Sequence, residues 1–175
     1  MICTLETLTS MDVFSGQDPI SLQRKLEAVE VLIRAYTNNN FQVRAGRFEA
    51  ASEGAALYGF SQYIKTGDTV EISKTCVNDG LYVVQSVRDG ITTVDRELFP
   101  VDHNLVTLVR YPADVVDGVI NMLVWEADNR QKVGIKSETI SRHSVTYYDQ
   151  DANNSVMGYP VSLLGFLKPY IKARF

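Results

Sequence analysis

The sequence predicts an α+β fold: a small helical bundle with an inserted small β-sheet or barrel module, and an extended C-terminal arm ending in a short helix. Apolar residues recur with the helical period of 3.6 in two segments, and the residues between them alternate as strands do. We therefore assign residues 1–40 and 111–134 to a helical body, 41–110 to the inserted β module, and 135–175 to the C-terminal arm with its short helix. With 175 residues and 45% hydrophobic content, the chain can bury a core.

The N-terminal part predicts two helices. A short one is expected before Gly16, and a longer one begins at Asp18-Pro19, an N-cap followed by a proline suited to the first turn. The longer helix runs to about Thr37, where Asn38-Asn39-Asn40 favours a turn. Its apolar seam consists of Leu22, Leu26, Val29, Ile33 and Tyr36, and its other faces carry Gln23, Arg24, Lys25, Glu27, Glu30 and Arg34.

The next part of the chain contains five segments that alternate as strands do. They are FQVRAGRF, DTVEIS, LYVVQSV, ITTVD and LVTLVRY, with turn signals between them and Pro100 before the last. Five short strands predict a small twisted sheet or barrel. Because small barrels often bind nucleic acids, Phe48 and Tyr82 are considered as base-stacking residues, against the alternative that they pack in the core. The basic residues here are scattered among acids, which favours the core alternative.

The helix predicted over 111–134 is the clearest and the most apolar. Pro112 suits its first turn, and Gly134 suits the position just past its end. Apolar residues cover most of its circumference, so we expect protein around it. Gly118, inside the helix, either permits a close crossing of another backbone or has no special role. One narrow polar stripe remains, and it holds Asp114, Asp117, Asn121 and Asp128.

This acidic stripe has two interpretations. Carboxylates in the opening turn of a helix interact favourably with its dipole, by about 0.3–1 kcal/mol, and Asp128 would then simply face water. Alternatively, Asp114, Asp117 and Asp128 form the acidic lining of a surface shared with a partner. Their common face is the observation that supports this second interpretation.

The C-terminal segment combines an alternating stretch with an apolar end. Ile140, Val145 and Tyr147 alternate within SETISRHSVTYYD, which predicts either an arm that adds a strand to a neighbouring subunit or a hairpin on its own domain. Pro160 then opens a short helix, which Pro169 should kink or end. The apolar residues of this helix are Leu163, Leu164, Phe166, Leu167, Tyr170 and Ile171. So apolar a chain end either packs on its own domain or inserts into a partner.

Composition and motifs argue against several functional classes. The net charge is −4 and no long run of Lys or Arg occurs, which argues against gripping nucleic acid. His103 and His143 stand in no metal-ligand spacing, and phosphate-binding and nucleophile motifs are absent, so we expect no enzyme, metal or cofactor. No apolar run approaches the roughly 20 residues that span a bilayer. Cys3 and Cys76 are isolated, which fits a reducing compartment.

Several segments resemble one family of viral proteins. GIKSETISRHSVTYYD and GYPVSLLGFLKPYIKARF resemble the C-terminal part of head-tail connector proteins, also called head completion or adaptor proteins, of long-tailed bacteriophages of Gram-positive bacteria. SLQRKLEAVEVLIRAYTNNNFQVR and the GDTVEIS and NDGLYVV pattern are similar to the same group. The resemblance therefore covers nearly the whole chain, and its specificity lies in the combination of segments.

The resemblance implies a structural protein of the virion neck, assembled in the host cytoplasm. About twelve copies would form a ring with heterologous contacts between neighbours. The ring would bind the portal on one side and a stopper or tail protein on the other, and genomic DNA would pass through its lumen without specific binding. The six apolar residues of the last helix would then dock on the portal. Asp114, Asp117 and Asp128 would face the lumen or a neighbouring subunit. The alternatives are a stopper or tail-terminator neck protein, and a small-barrel nucleic-acid-binding module with salt-dependent DNA binding.

Overall fold

The computed structural model describes residues 1–129, 137–140, 143–146, 155–156 and 158–173. It has the predicted α+β class, with helices, a four-stranded antiparallel sheet and a short C-terminal helix. The chain divides into two compact units. The β unit consists of Met1 with Asn39–Tyr111, and the helical unit consists of Ile2–Asn38 with Pro112–Phe175. The described residues of the predicted C-terminal arm, 135–175, fall within the helical unit.

The helical unit is built on three α-helices: α1 (Leu5–Thr9), α2 (Pro19–Thr37) and α3 (Ala113–Asn129). A short 3₁₀ helix, Asp12–Phe14, follows α1 and contacts α3. A second one, Val161–Tyr170, packs on both α2 and α3 and is called the C-terminal 3₁₀ helix below. The fully buried side chains of this unit include Leu8, Leu22, Leu26, Ile33, Met122, Leu123 and Leu167.

Helix α2 begins and ends where the sequence predicts. The Asp18 carboxylate accepts hydrogen bonds from the backbone N–H groups of Ile20 and Ser21, at 3.4 and 3.0 Å. Asn38 ends the helix with a left-handed φ of 49°. The prediction for Glu30 was wrong, because this side chain is only 3% exposed rather than on a polar face. Glu30 lies one turn from both Leu26 and Ile33, so it shares their buried side.

Helix α3 begins one residue later than its proline suggests. The Pro112 carbonyl accepts from the N–H groups of Val115 and Val116, at 3.0 and 3.1 Å, so Pro112 precedes the first turn rather than lying in it. The predicted end at Gly134 falls outside the described residues. No helix in the described part of the chain combines the length and apolar character needed to cross a membrane.

The β unit contains four strands: β1 (Gln42–Tyr58), β2 (Thr69–Ser73), β3 (Gly80–Arg88) and β4 (Ile91–Val109). β1 pairs along most of β4. β2 pairs with β3, and both also pair with β4, so these three strands close a cycle. The core of the unit includes Leu57, Val70, Ile72, Val84, Val94, Val106 and Leu108.

Strand β4 corrects the prediction of five strands. ITTVD and LVTLVRY belong to one strand, because Pro100 lies inside β4 instead of separating two strands. The register against β1 shifts between the pairs Ser52–Val101 and Gly54–Leu98, and Pro100 is exposed at this irregularity. A bulge tolerates a residue without an N–H group, so a proline there does not break the strand.

Two short pairs of strands lie between α3 and the C-terminal 3₁₀ helix. β5 (Ser137–Ile140) pairs antiparallel with β6 (His143–Thr146), and β7 (Ser155–Val156) pairs with β8 (Tyr159–Pro160). The C-terminal helix that follows is of the 3₁₀ type and contains Pro169. At 10 residues it is long for this geometry, since most 3₁₀ runs span about three or four residues.

Candidate assembly interface

The predicted acidic stripe is an exposed row along α3. Its members Asp114, Asp117, Asn121 and Asp128 are all exposed. The other side of the helix carries Val115, Val119, Met122 and Leu123, each at most 2% exposed. One side of α3 therefore belongs to the core, and the acidic side is available to solvent or a partner.

Asp114 also contacts the C-terminal 3₁₀ helix. The Tyr170 hydroxyl donates to both carboxylate oxygens of Asp114, at 2.8 and 2.9 Å. This hydrogen bond, with partial desolvation and the carboxylate charge, raises the pKa of Tyr170. Two residues predicted to face different partners thus contact each other, whereas Asp117 and Asp128 remain exposed.

Leu164 and Leu167 of the C-terminal 3₁₀ helix are core residues of the helical unit. Their side chains are 2% and 0% exposed. Since the resemblance implies portal docking for both, this is a correction: neither is accessible to a partner while the helix lies in this position. The apolar chain end was expected either to pack on its own domain or to insert into a partner. These two leucines pack on the chain's own unit.

Phe166 explains the glycine inside α3. A Cβ built on Gly118 would lie 2.5 Å from two carbons of the Phe166 ring, well inside van der Waals contact. The close approach is therefore that of an aromatic ring rather than of another backbone. Gly118 permits the C-terminal 3₁₀ helix to lie against α3.

The end of the described chain is tied to the end of α2. The Lys172 N–H donates to the Thr37 carbonyl at 2.8 Å, and the Asn38 side-chain amide donates to the Ala173 carbonyl at 2.9 Å. Ile171, between these contacts and the 3₁₀ helix, keeps 48% of its surface exposed. The accessible apolar residues of this segment are Val161, which is 41% exposed, Ile171 and, in part, Leu163, Phe166 and Tyr170. Lys168 and Lys172 beside them are also exposed.

The residues predicted to form an inter-subunit arm lie in and beside the β5–β6 hairpin. Ile140 is the position paired with His143, and Val145 is paired with Glu138. Tyr147 lies outside the described residues. The two strands pair with each other, and the inter-subunit arm stays a prediction.

A buried carboxylate in α3 was missed by the sequence analysis. Glu126 is 9% exposed and accepts a hydrogen bond of 2.5 Å from the Tyr159 hydroxyl. The Tyr159 ring also lies 5.8 Å from that of Trp125, between ring centres. The spacing from Val119 to Met122 to Glu126 could have indicated burial, since all three share one helix side.

The aromatic residues considered for nucleic-acid stacking pack on the β core. Phe48 and Tyr82 are half-buried against the core cluster. The Tyr82 hydroxyl donates to the Asn78 carbonyl at 3.0 Å, and the Arg96 guanidinium lies 4.6 Å from the centre of its ring. One face of Tyr82 is thus already covered by a cation of the same chain.

A network around Asn78 positions an exposed aromatic residue. Asn78 is 1% exposed, and its amide oxygen accepts from the Phe99 N–H at 2.8 Å while its amide nitrogen donates to the Phe99 carbonyl at 2.9 Å. The same nitrogen lies 3.1 Å from the Asn104 side-chain oxygen and 3.3 Å from the Ser52 hydroxyl. Phe99 is held by its backbone while 67% of its surface is exposed.

Among the described residues, no group of three or more His, Cys, Asp or Glu side chains lies close enough together to hold a metal ion. The two cysteines are free thiols, Cys76 exposed and Cys3 half-buried.

No protein-family model matches the sequence, and no curated protein matches it.

Proposed function

We propose that this protein is a subunit of a ring that joins the portal of a long-tailed bacteriophage to its tail and continues the DNA channel. The observation that carries the proposal is the exposed acidic row on α3, opposite a fully buried side. Asp114 and Asp128 are 14 positions apart, so the row is about 21 Å long. It supports the role that the sequence resemblance implies.

The charge of this row suits a channel for DNA. Duplex DNA carries about one negative charge per 1.7 Å of its axis, and proteins retain it by neutralising phosphates with Lys and Arg. Carboxylates along a lumen repel phosphates instead. A ring lined by Asp117 and Asp128 would therefore let the genome slide without holding it.

We assign portal docking to the accessible part of the C-terminal segment. Ile171 is its most exposed predicted docking residue, and Leu163, Phe166 and Tyr170 are partly accessible. Leu164 and Leu167 would keep the segment on its own unit. Burying an exposed Ile or Leu is worth roughly 1.5–3 kcal/mol, and the gain is multiplied around a ring.

The test is co-sedimentation with the portal assembly encoded by the same genome. We compare the whole chain with Ile171→Asp and with Val77→Asp, a matched control at a 54% exposed position in the β unit. Binding that Ile171→Asp abolishes and Val77→Asp preserves supports both the ring and its docking surface. Equal binding of all three chains rejects the docking surface. A whole chain that fails to bind an intact portal rejects the connector role, and the stopper alternative then comes first.

The lumen assignment needs a separate experiment. Asp117→Lys/Asp128→Lys should slow or stall DNA release from assembled particles, because the row would then attract phosphates. Lys65→Glu/Lys74→Glu, at two exposed positions of the β unit, provides a control for altered charge elsewhere. Unchanged DNA release by the lysine variant would reject the lumen assignment.

A further inference from the structure

The outer face of α2 exposes two large apolar side chains. Ile20 is 67% exposed and Val31 is 63% exposed. At 100° per residue they lie about 20° apart around the helix axis, and the buried seam from Leu22 to Ile33 lies on the opposite side. They are three turns apart, or about 16 Å along the axis. The outer face is thus a second apolar stripe, separate from the core seam.

Two opposite charges lie between these apolar residues. Arg24 and Glu27 are both exposed and fall within the same arc of about 60°. Glu27 accepts a hydrogen bond of 3.1 Å from the Gln23 side chain. The Arg24 side chain forms no ion pair or hydrogen bond with any residue in the described part of the chain. The stripe therefore has the order apolar, basic, acidic, apolar.

The stripe is complementary to a second copy of itself that runs in the opposite direction. If a second copy of α2 lies antiparallel across the first, with the twofold axis midway between Arg24 and Glu27, each Ile20 faces a Val31. Each Arg24 then faces a Glu27, so two ion pairs form between the copies. We propose that α2 is the contact surface of a twofold antiparallel dimer of this chain. The match of both the charges and the apolar ends identifies the partner as a second copy.

The dimer goes beyond the proposed function and does not depend on it. A ring uses heterologous contacts between neighbours, whereas this contact is isologous: the same surface serves both copies. Three turns of helix make a small contact compared with the roughly 1,200–2,000 Å² buried in stable complexes. The dimer is therefore weak, and its population rises with protein concentration.

The test uses charge reversal on the whole chain. Sedimentation velocity over a concentration series should show a rising weight-average sedimentation coefficient for the unmodified protein. Arg24→Glu gives an all-acidic stripe and Glu27→Arg an all-basic one, so each variant alone should lose this rise. An equimolar mixture of the two should regain it as a heterodimer, and the double variant Arg24→Glu/Glu27→Arg should regain it as a homodimer.

Controls separate this contact from general charge effects and from misfolding. Lys65→Glu changes the net charge by the same amount as Arg24→Glu at an exposed site of the β unit, and it should dimerise as the unmodified protein does. Circular dichroism checks that every variant is folded. The proposal is overturned if the unmodified chain stays monomeric throughout, if either single variant self-associates normally, or if the mixture of single variants stays monomeric.

Discussion

The Tyr170 hydroxyl donates to both oxygens of the Asp114 carboxylate, across 56 positions of sequence. Asp114 lies in the first turn of α3, and Tyr170 is the last residue of the C-terminal 3₁₀ helix. The pair fixes the end of that helix against the start of α3. Since the hydrogen bond requires the protonated phenol, its strength depends on pH in the alkaline range.

Replacing Asp114 with Asn should lower the pKa of Tyr170 towards its ordinary value of about 10. The hydrogen bond to the Asp114 carboxylate raises the pKa of Tyr170 above that value. This hydrogen bond therefore contributes its full stabilisation of the folded protein below about pH 10, and the contribution is lost as the pH rises through the raised pKa. The measurement is tyrosinate absorbance against pH, with Tyr170→Phe subtracted to isolate this residue. If Asp114→Asn leaves the difference curve unchanged, Asp114 is not the cause of the raised Tyr170 pKa.

Replacing Gly118 with Ala should destabilise the helical unit by about 1–3 kcal/mol, because the new methyl group overlaps the Phe166 ring. Alanine within a helix otherwise stabilises it by about 1 kcal/mol relative to glycine. The same change made in a Phe166→Ala background should therefore be neutral or stabilising. Urea unfolding of the four proteins measures this coupling. Additive effects would show that the ring does not limit the site.

Replacing Asn78 with Ala should lower the free energy of unfolding by about 2–4 kcal/mol, since it leaves buried polar partners of the β unit unsatisfied. Hydrogen exchange at the Phe99 amide should accelerate in the same variant, because that N–H loses its acceptor. Asn40→Ala, at an exposed position of the same unit, is the control and should change stability far less. Similar effects of the two substitutions would reject the central role of Asn78.

Alkylation should distinguish the two cysteines of the folded protein. Burial raises the pKa of the Cys3 thiol, and the thiolate is the reactive form. Cys76 is exposed, so iodoacetamide at mildly alkaline pH should modify it faster than Cys3. Mass spectrometry of the two peptides gives both rates. The difference should disappear in denaturant, and its persistence there would assign it to local sequence instead.

Local signals were sufficient for the helices and insufficient for the long strands. Asp18 and Asn38 mark the ends of α2 because capping depends on side chains adjacent in sequence. β1 continues to Tyr58 through the segment AASEGAAL, whose Ala and Gly residues have low strand propensity. Its pairing with β4 holds this segment extended, and such a partner cannot be read from local composition.

The candidate interface was predictable where it follows helix periodicity. The acidic row on α3 is exposed as one face, as the spacing from Asp114 to Asp128 indicates. The burial of Leu164 and Leu167 was not predictable, because an apolar chain end has the same pattern whether it packs on its own unit or on a partner. Hydrogen bonds such as Tyr159 to Glu126 join residues far apart in sequence, and no local pattern reports them.

The tie between Thr37 and Lys172 determines when each unit can finish folding during synthesis. The β unit has all its residues once Tyr111 has left the ribosome, but α2 must wait for the end of the chain before its contacts with Lys172 and Ala173 can form. At the usual 5–20 residues per second, this delay is roughly 3–12 s. The seam of α2 therefore stays incompletely covered while the β unit is already complete, and nascent chains interrupted before Ala173 are expected to be bound by chaperones through their helical part.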